Sequence, residues 1–228
     1  MEKHFLMTKT GEIYQPVRLY YELLDNKKVI KIFSKLRCMD FDSEKNRWVW
    51  LYYGEAKKIK LNKAYSTISK EDGLIIIGSF FIRQNNVLIL DVRSTERAIE
   101  AIKFFDKYIK RSYAKITHMA IVNKVFDALT VLHPTLDIFF DSDKVVERNP
   151  ERLIKDIITL RLEGKDENEF FNILKNEPQP EVEKIPLYYY DEGIQQIEFM
   201  LRVRQIEALE YWKGNTNFTF DDLIKDIL

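Results

Sequence analysis

Four carboxylates, Asp137, Asp141, Asp143 and Glu147, crowd into "LDIFFDSDKVVE". Two or three such groups held close chelate Mg²⁺, which activates a water and neutralises a phosphoryl transition state. If "TLDIFF" is a strand, Asp137 and Asp141 stand four apart and share a face. Asp91, closing "VLILD", would complete a site, and Lys144 or Arg93 would steady the transition state. Asp and Ser are also common turn formers and helix caps. That plainer role is the expected one, so Asp137, Asp141 and Asp143 are weak catalytic candidates, for a Mg-dependent nuclease.

The second constellation is basic and aromatic. "CMDFDSEKNRWVWLYYGEAKKIKLNK" interleaves Trp48, Trp50, Tyr52 and Tyr53 with Arg47, Lys57, Lys58, Lys60 and Lys63. Exposed rings beside cations stack bases while the cations track phosphates. On a strand, Trp48, Trp50 and Tyr52 share one face, and Arg47, Val49, Leu51 and Tyr53 the other. One face must be buried, and the Trp-bearing face is expected inward. The cations are the stronger signal. Lys28, Lys31, Lys35 and Arg37 come from one segment, Lys57, Lys58, Lys60 and Lys63 from a second, and Lys107, Lys110, Arg111 and Lys115 from a third. If the three adjoin, they form a stripe that binds backbone phosphate without reading sequence.

Other chemistry finds little footing. There is no GxxxxGK[ST], GxGxxG or GxSxG. His4, His118 and His133 form no paired-His metal motif. Cys38 is the only cysteine, which excludes disulfides and a Cys-based zinc site and fits a reducing compartment. It is expected to be a small buried hydrophobe. No cofactor or bound metal is expected.

Charge divides along the chain. Residues 1–126 hold 24 Lys and Arg against 14 Asp and Glu, a balance of +10, and residues 127–228 hold 12 against 22, a balance of −10. Such asymmetry points to a polyanion-binding half, or to two halves that attract each other. At 46% hydrophobic and 32% charged, the 228 residues read as a folded chain. The apolar run "LIIIGSFFI" is too short to span a bilayer, and "MEKHFLMTKTGEIY" lacks a signal peptide's apolar core, so a cytoplasmic, non-membrane protein is expected.

The elements that must position these residues are those of an α+β protein. "PVRLYYELLD" is a first strand. Asp25 or Asn26 caps a helix in which Val29, Ile32, Phe33 and Leu36 form the apolar stripe. "CMDFD" and "RWVWLYY" form a hairpin across "SEKN". "LIIIGSFFIRQNNVLILDVRS" forms another, with Asn85 and Asn86 as its turn. Ser94 caps a helix to about Ile109. Thr117 caps a helix through "HMAIVNKVFDALTVL", ended by Pro134. Asn149-Pro150 starts a helix that stops at Gly164, and "ENEFFNILK" is a short helix. "NEPQPEVEKIP" is irregular, a Pro-rich linker near 176–186. A long amphipathic helix spans "DEGIQQIEFMLRVRQIEALEYW", and "FDDLIKDIL" is a last short one. The expected organisation is a basic α+β domain over 1–133, with antiparallel hairpins packed by helices, then an acidic, mainly helical region over 134–228.

The function these features suggest is a non-enzymatic nucleic-acid-associated protein, RNA- or DNA-binding. It would hold backbone phosphate through the basic surface as an accessory subunit of a larger assembly, with a protein partner on the acidic C-terminal helices. The alternative is a protein–protein adaptor whose basic and acidic halves recognise each other.

Overall fold

The computed structural model describes residues 4–68, 73–129, 135–149 and 179–216, with isolated positions at 155, 158, 159, 162–164, 218 and 222. Among the described residues, alternating apolar stretches assemble into one eight-stranded sheet accompanied by four helices. The strands are β1 (Val17–Leu23), β2 (Met39–Asp42), β3 (Arg47–Leu51), β4 (Ile76–Arg83), β5 (Val87–Val92), β6 (Ala114–Val122), β7 (Val145–Glu147) and β8 (Val182–Pro186). Their order is β2-β3-β4-β5-β1-β6-β8-β7. Every neighbouring pair is antiparallel except β7 and β8. The helices are α1 (Asn26–Phe33), α2 (Thr95–Phe105), the single turn α3 (Asp137–Phe140) and α4 (Gln195–Trp212).

Local chemistry explains the well-defined boundaries. Asp25 accepts from the Lys28 amide at the start of α1, and Ser94 accepts from the Arg97 amide at the start of α2. The expected two-residue turn between β4 and β5 is a three-residue loop, Gln84, Asn85 and Asn86, closed by the Arg83–Val87 pair, and in it Asn85 and Asn86 both take the left-handed backbone conformation.

The two sheet faces carry different layers. On one, Leu19, Tyr21, Phe80, Leu90, Met119 and Ile121 share a core with Val29 and Phe33 of α1, Ala98, Ile102 and Phe105 of α2, and Ile197 and Leu201 of α4. Trp50 lies in this core, fully buried against Phe104 and Phe105, and Tyr52 is buried too, while Trp48 is half-buried against Phe33. On the opposite face, Phe139 and Phe140 of α3 pack on Ala120, Val122 and Val182.

The segment expected as a helix from Thr117 is instead the strand β6 up to Val122. Its pairing with β1 shifts by one residue, so that Tyr20 faces His118 while Tyr21 faces Ile116. Thr117 is the extra residue of this bulge. Ile116 and Met119 therefore reach the same core at a spacing of three, and the two-residue period is disguised as a helical one. "TLDIFF" is a helical turn, not a strand. The irregular stretch expected near 176–186 contains β8. Its prolines, Pro178, Pro180 and Pro186, leave 181–185 free to pair, and Val182 to Pro186 lie along β6. The helices expected from Asn149-Pro150, over "ENEFFNILK" and over "FDDLIKDIL" lie almost wholly outside the described residues.

Candidate functional site

The carboxylate cluster comes together around an arginine. β1 and β5 pair so that Arg18 lies directly opposite Asp91, with the small Ala120 on its other side. Arg18 is 1% exposed. That is an unusual place for a guanidinium unless its donors are used. Its Nε donates to Asp91 Oδ1 at 2.6 Å and its Nη2 to Asp91 Oδ2 at 2.8 Å. From above, one turn of α3 brings Asp137 and Asp141 onto it: Nη2 reaches Asp137 Oδ1 at 2.7 Å, and Nη1 donates to Asp141 Oδ1. The guanidinium carbon lies 5.0 Å from the centre of the Phe140 ring, and Arg83 Nη2 adds a 3.3 Å contact to Asp137 Oδ1.

The electrostatics follow from burial. Burial opposes the charge on Arg18, but hydrogen bonds and charge from Asp91, Asp137 and Asp141 outweigh it and hold the guanidinium firmly protonated. Burial raises the Asp91 carboxyl despite Arg18. Asp137 is also partly desolvated, yet Arg18 and then Arg83 keep it below the usual carboxylate value.

Asp91, Asp137 and Asp141 thus meet, as their spacing suggests. The cation among them is a side chain, and its donors take the oxygens a metal ion would use. Among the described residues no group of His, Cys, Asp and Glu is arranged to hold a metal ion. Asp143 is exposed and makes no hydrogen bond or ion pair among the described residues. Lys144 instead faces Glu181 at 3.6 Å. Arg18 and Arg83 were the members sequence reasoning missed. The available signal for Arg18 was a lone arginine between Val17 and Leu19, at the position that pairs with Asp91.

The basic residues divide into open and closed sets. Lys28 and Lys31 are exposed along α1, with exposed Lys35 and Arg37 just beyond it. Lys57 and Lys58 lie on the 3-10 turn Gly54–Lys58, followed by exposed Lys60 and Lys63. Lys107 and Lys110 are exposed beyond α2, and Arg111 and Lys115 lead into β6. The three segments adjoin. The Asp25 amide, capping α1, donates to Tyr113 O at 2.9 Å, and Lys28 Nζ lies 4.6 Å from the Tyr113 ring centre. Glu55 accepts from the Cys38 amide at 3.1 Å and faces Arg37, and the Lys60 amide donates to Glu100 of α2. Gly54 makes the approach possible. Its φ is positive, and an added Cβ would come within 2.9 Å of Arg37 Cβ. Arg47 is apart. It points to the opposite sheet face, where it bonds Asp42 at 3.0 Å and Ser79 at 3.1 Å.

Several cations are neutralised. Lys28 pairs with Asp25, Arg37 with Glu55, and both Arg111 and Lys115 with Asp191 at 3.1 and 2.5 Å. Lys31, Lys35, Lys57, Lys58, Lys60, Lys63, Lys107 and Lys110 form no ion pair among the described residues. Lys57 Nζ instead sits 4.7 Å from the Tyr53 ring centre and 4.4 Å from that of Tyr65. Beneath this surface Cys38 is buried, and burial followed by the charge of Glu55 pushes its thiol up to about 12, which leaves no nucleophile there at neutral pH.

The later acidic residues meet the earlier basic ones at several further points. Lys103 pairs with Glu198 at 2.9 Å, and Lys124 pairs with Glu181. A cleft of about 330 Å³ between α2 and α4 is lined by Lys60, Lys103, Arg202, Glu96, Glu100 and Glu198, several already bonded to one another. Among the described residues no helix is long and apolar enough to cross a membrane. Compared with known proteins, the chain matches no family model, no curated protein and no solved structure.

Proposed function

We propose that the protein is a non-enzymatic nucleic-acid-associated subunit that holds backbone phosphates on the surface shared by α1, the 54–63 segment and the 107–110 turn. The observation that carries this reading is the uneven neutralisation of its cations. Where basic residues abut the segment from 181 to 198, they are paired with Asp or Glu. Away from it, Lys31, Lys35, Lys57, Lys58, Lys60, Lys63, Lys107 and Lys110 lack such partners among the described residues, while Lys28 keeps only its neighbour Asp25. A lysine left in water beside other lysines repels them, and phosphate relieves that repulsion while releasing counterions.

The test is binding of a fluorescent duplex at several salt concentrations. The wild type should bind at low salt, with log affinity falling linearly with log salt at a slope of about −0.9 per phosphate contacted. Changing Lys57, Lys58 and Lys60 together to Glu should abolish binding. Absence of wild-type binding at low salt ends the proposal.

A second reading, that the basic and acidic portions recognise each other, is favoured by the pairs from Arg18 to Asp141, Lys103 to Glu198 and Lys115 to Asp191. It accounts for the closed cations. On this reading the acidic C-terminal portion is an internal counter-charge, and the open lysines are what it leaves for a partner.

A further inference from the structure

Phosphate binding by lysines needs no aromatic surface, yet this basic surface has one. Tyr53 and Tyr108 are both exposed. Tyr is ordinarily an intermediate residue whose ring seeks cover. Tyr53 immediately precedes the 54–58 turn, and Tyr108 follows α2 with its ring 4.9 Å from that of Phe104, within reach of the charge of Glu55. Tyr65, half-exposed, faces the same lysine as Tyr53. With Lys57 Nζ 4.7 Å from one ring centre and 4.4 Å from the other, the two rings share one ammonium group as their neighbour.

Resting on the phosphate-binding reading, we infer that this surface is a single-strand site, in which unpaired bases stack on Tyr53, Tyr65 and Tyr108 while the neighbouring lysines hold the phosphates. The ammonium of Lys57 occupies the ring faces in the free protein. Stacking a base on a ring is worth more than an exposed cation–π contact, so a base displaces it. The freed ammonium then lies beside the strand it has admitted, among Lys58 and Lys60. A duplex cannot use the rings, because its bases are stacked on one another. Stacking tolerates any base, so the site would read single-strandedness and not sequence.

The full-length chain is tested with three probes: an oligothymidylate of about 12 nucleotides, within the range of such sites, an abasic chain of equal length, and heparin. The oligothymidylate should bind about 10-fold tighter than the abasic chain. Tyr53→Ala should shrink that difference, and Tyr53→Ala with Tyr65→Ala and Tyr108→Ala should erase it, with heparin affinity unchanged, while Tyr53→Trp should retain it, which separates stacking from a folding defect. Equal affinity for the oligothymidylate and the abasic chain, with heparin still bound, overturns the stacking inference and leaves phosphate binding intact. Failure of all three probes to bind at low salt removes both.

Discussion

The cluster around Arg18 and the surface around Lys57 are both rich in charge, and they use it in opposite ways. At Arg18 every charge meets its opposite: a guanidinium that is 1% exposed is closed by Asp91 from below and by Asp137 and Asp141 from α3. At Lys57 the nearest partners are the rings of Tyr53 and Tyr65, and Lys58, Lys60 and Lys63 face outward. A buried charge must be paired, because leaving it alone in a low-dielectric interior costs several kcal/mol. An exposed charge carries no such obligation and is available to a ligand. The difference separates charge that holds the fold from charge that can recognise something outside it. Asp137, Asp141, Asp191 and Glu198, though partly exposed, are likewise taken up in ion pairs within the molecule.

The sharpest way to break the comparison is Arg18→Ala. It leaves Asp91 buried beside two further carboxylates, and removing one member of a buried pair costs about 3–5 kcal/mol. Asp137 and Asp141 are about half-exposed, so water recovers part of that and the lower end is expected. Urea unfolding measures it. A loss under about 1 kcal/mol would show that the cluster does not hold α3 to the sheet.

Acid should act more gently and on the closed charges alone. Asp191 is held low by Lys115, Glu198 by Lys103, and Asp137 by Arg18 in spite of its burial. Carboxylates with depressed values lend stability above their ordinary values of 3.8 for Asp and 4.5 for Glu, and lose it as pH falls through the folded-state values. Asp91, raised by burial, works in the opposite sense and offsets part of the loss. The thermal midpoint should therefore hold from about pH 7 to 5 and drop toward about pH 3. A midpoint flat across that range would deny the pairs any net contribution.

The smallest effect sharpens the contrast within the basic set. Lys58→Glu should change stability by less than about 0.5 kcal/mol, yet weaken nucleic-acid binding and lower the salt slope by about 1. Lys115→Glu faces Asp191 and should do the reverse, losing up to about 1 kcal/mol of stability with little change in affinity. Equal effects of the two on binding would mean that pairing with Asp191 does not distinguish them.

Much of the scaffold could be read without coordinates. Asp25 and Ser94 as caps, Asn85-Asn86 as a hairpin turn and Trp50 facing inward are consequences of local stereochemistry and of a strict two-residue alternation. The misreading of residues 117–122 also has a local cause, because the bulge at Thr117 replaces one step of two by a step of three. The carboxylates of the Arg18 cluster were visible one by one. Their centre was not, since nothing near residue 18 announces that residues 137 and 141 will settle above it.

Composition and short-range pattern alone determined that the chain is a mixed α and β protein, that its charge is segregated, and where α1, α2 and the β4–β5 turn fall. Those properties depend on neighbours within a few residues, whose geometry the backbone dictates. Only the tertiary structure decided which charges neutralise one another, because an ion pair depends on through-space distance between segments up to 123 residues apart, such as Arg18 and Asp141. The same long-range pairing left the lysines around Tyr53 open while closing those beside Asp191.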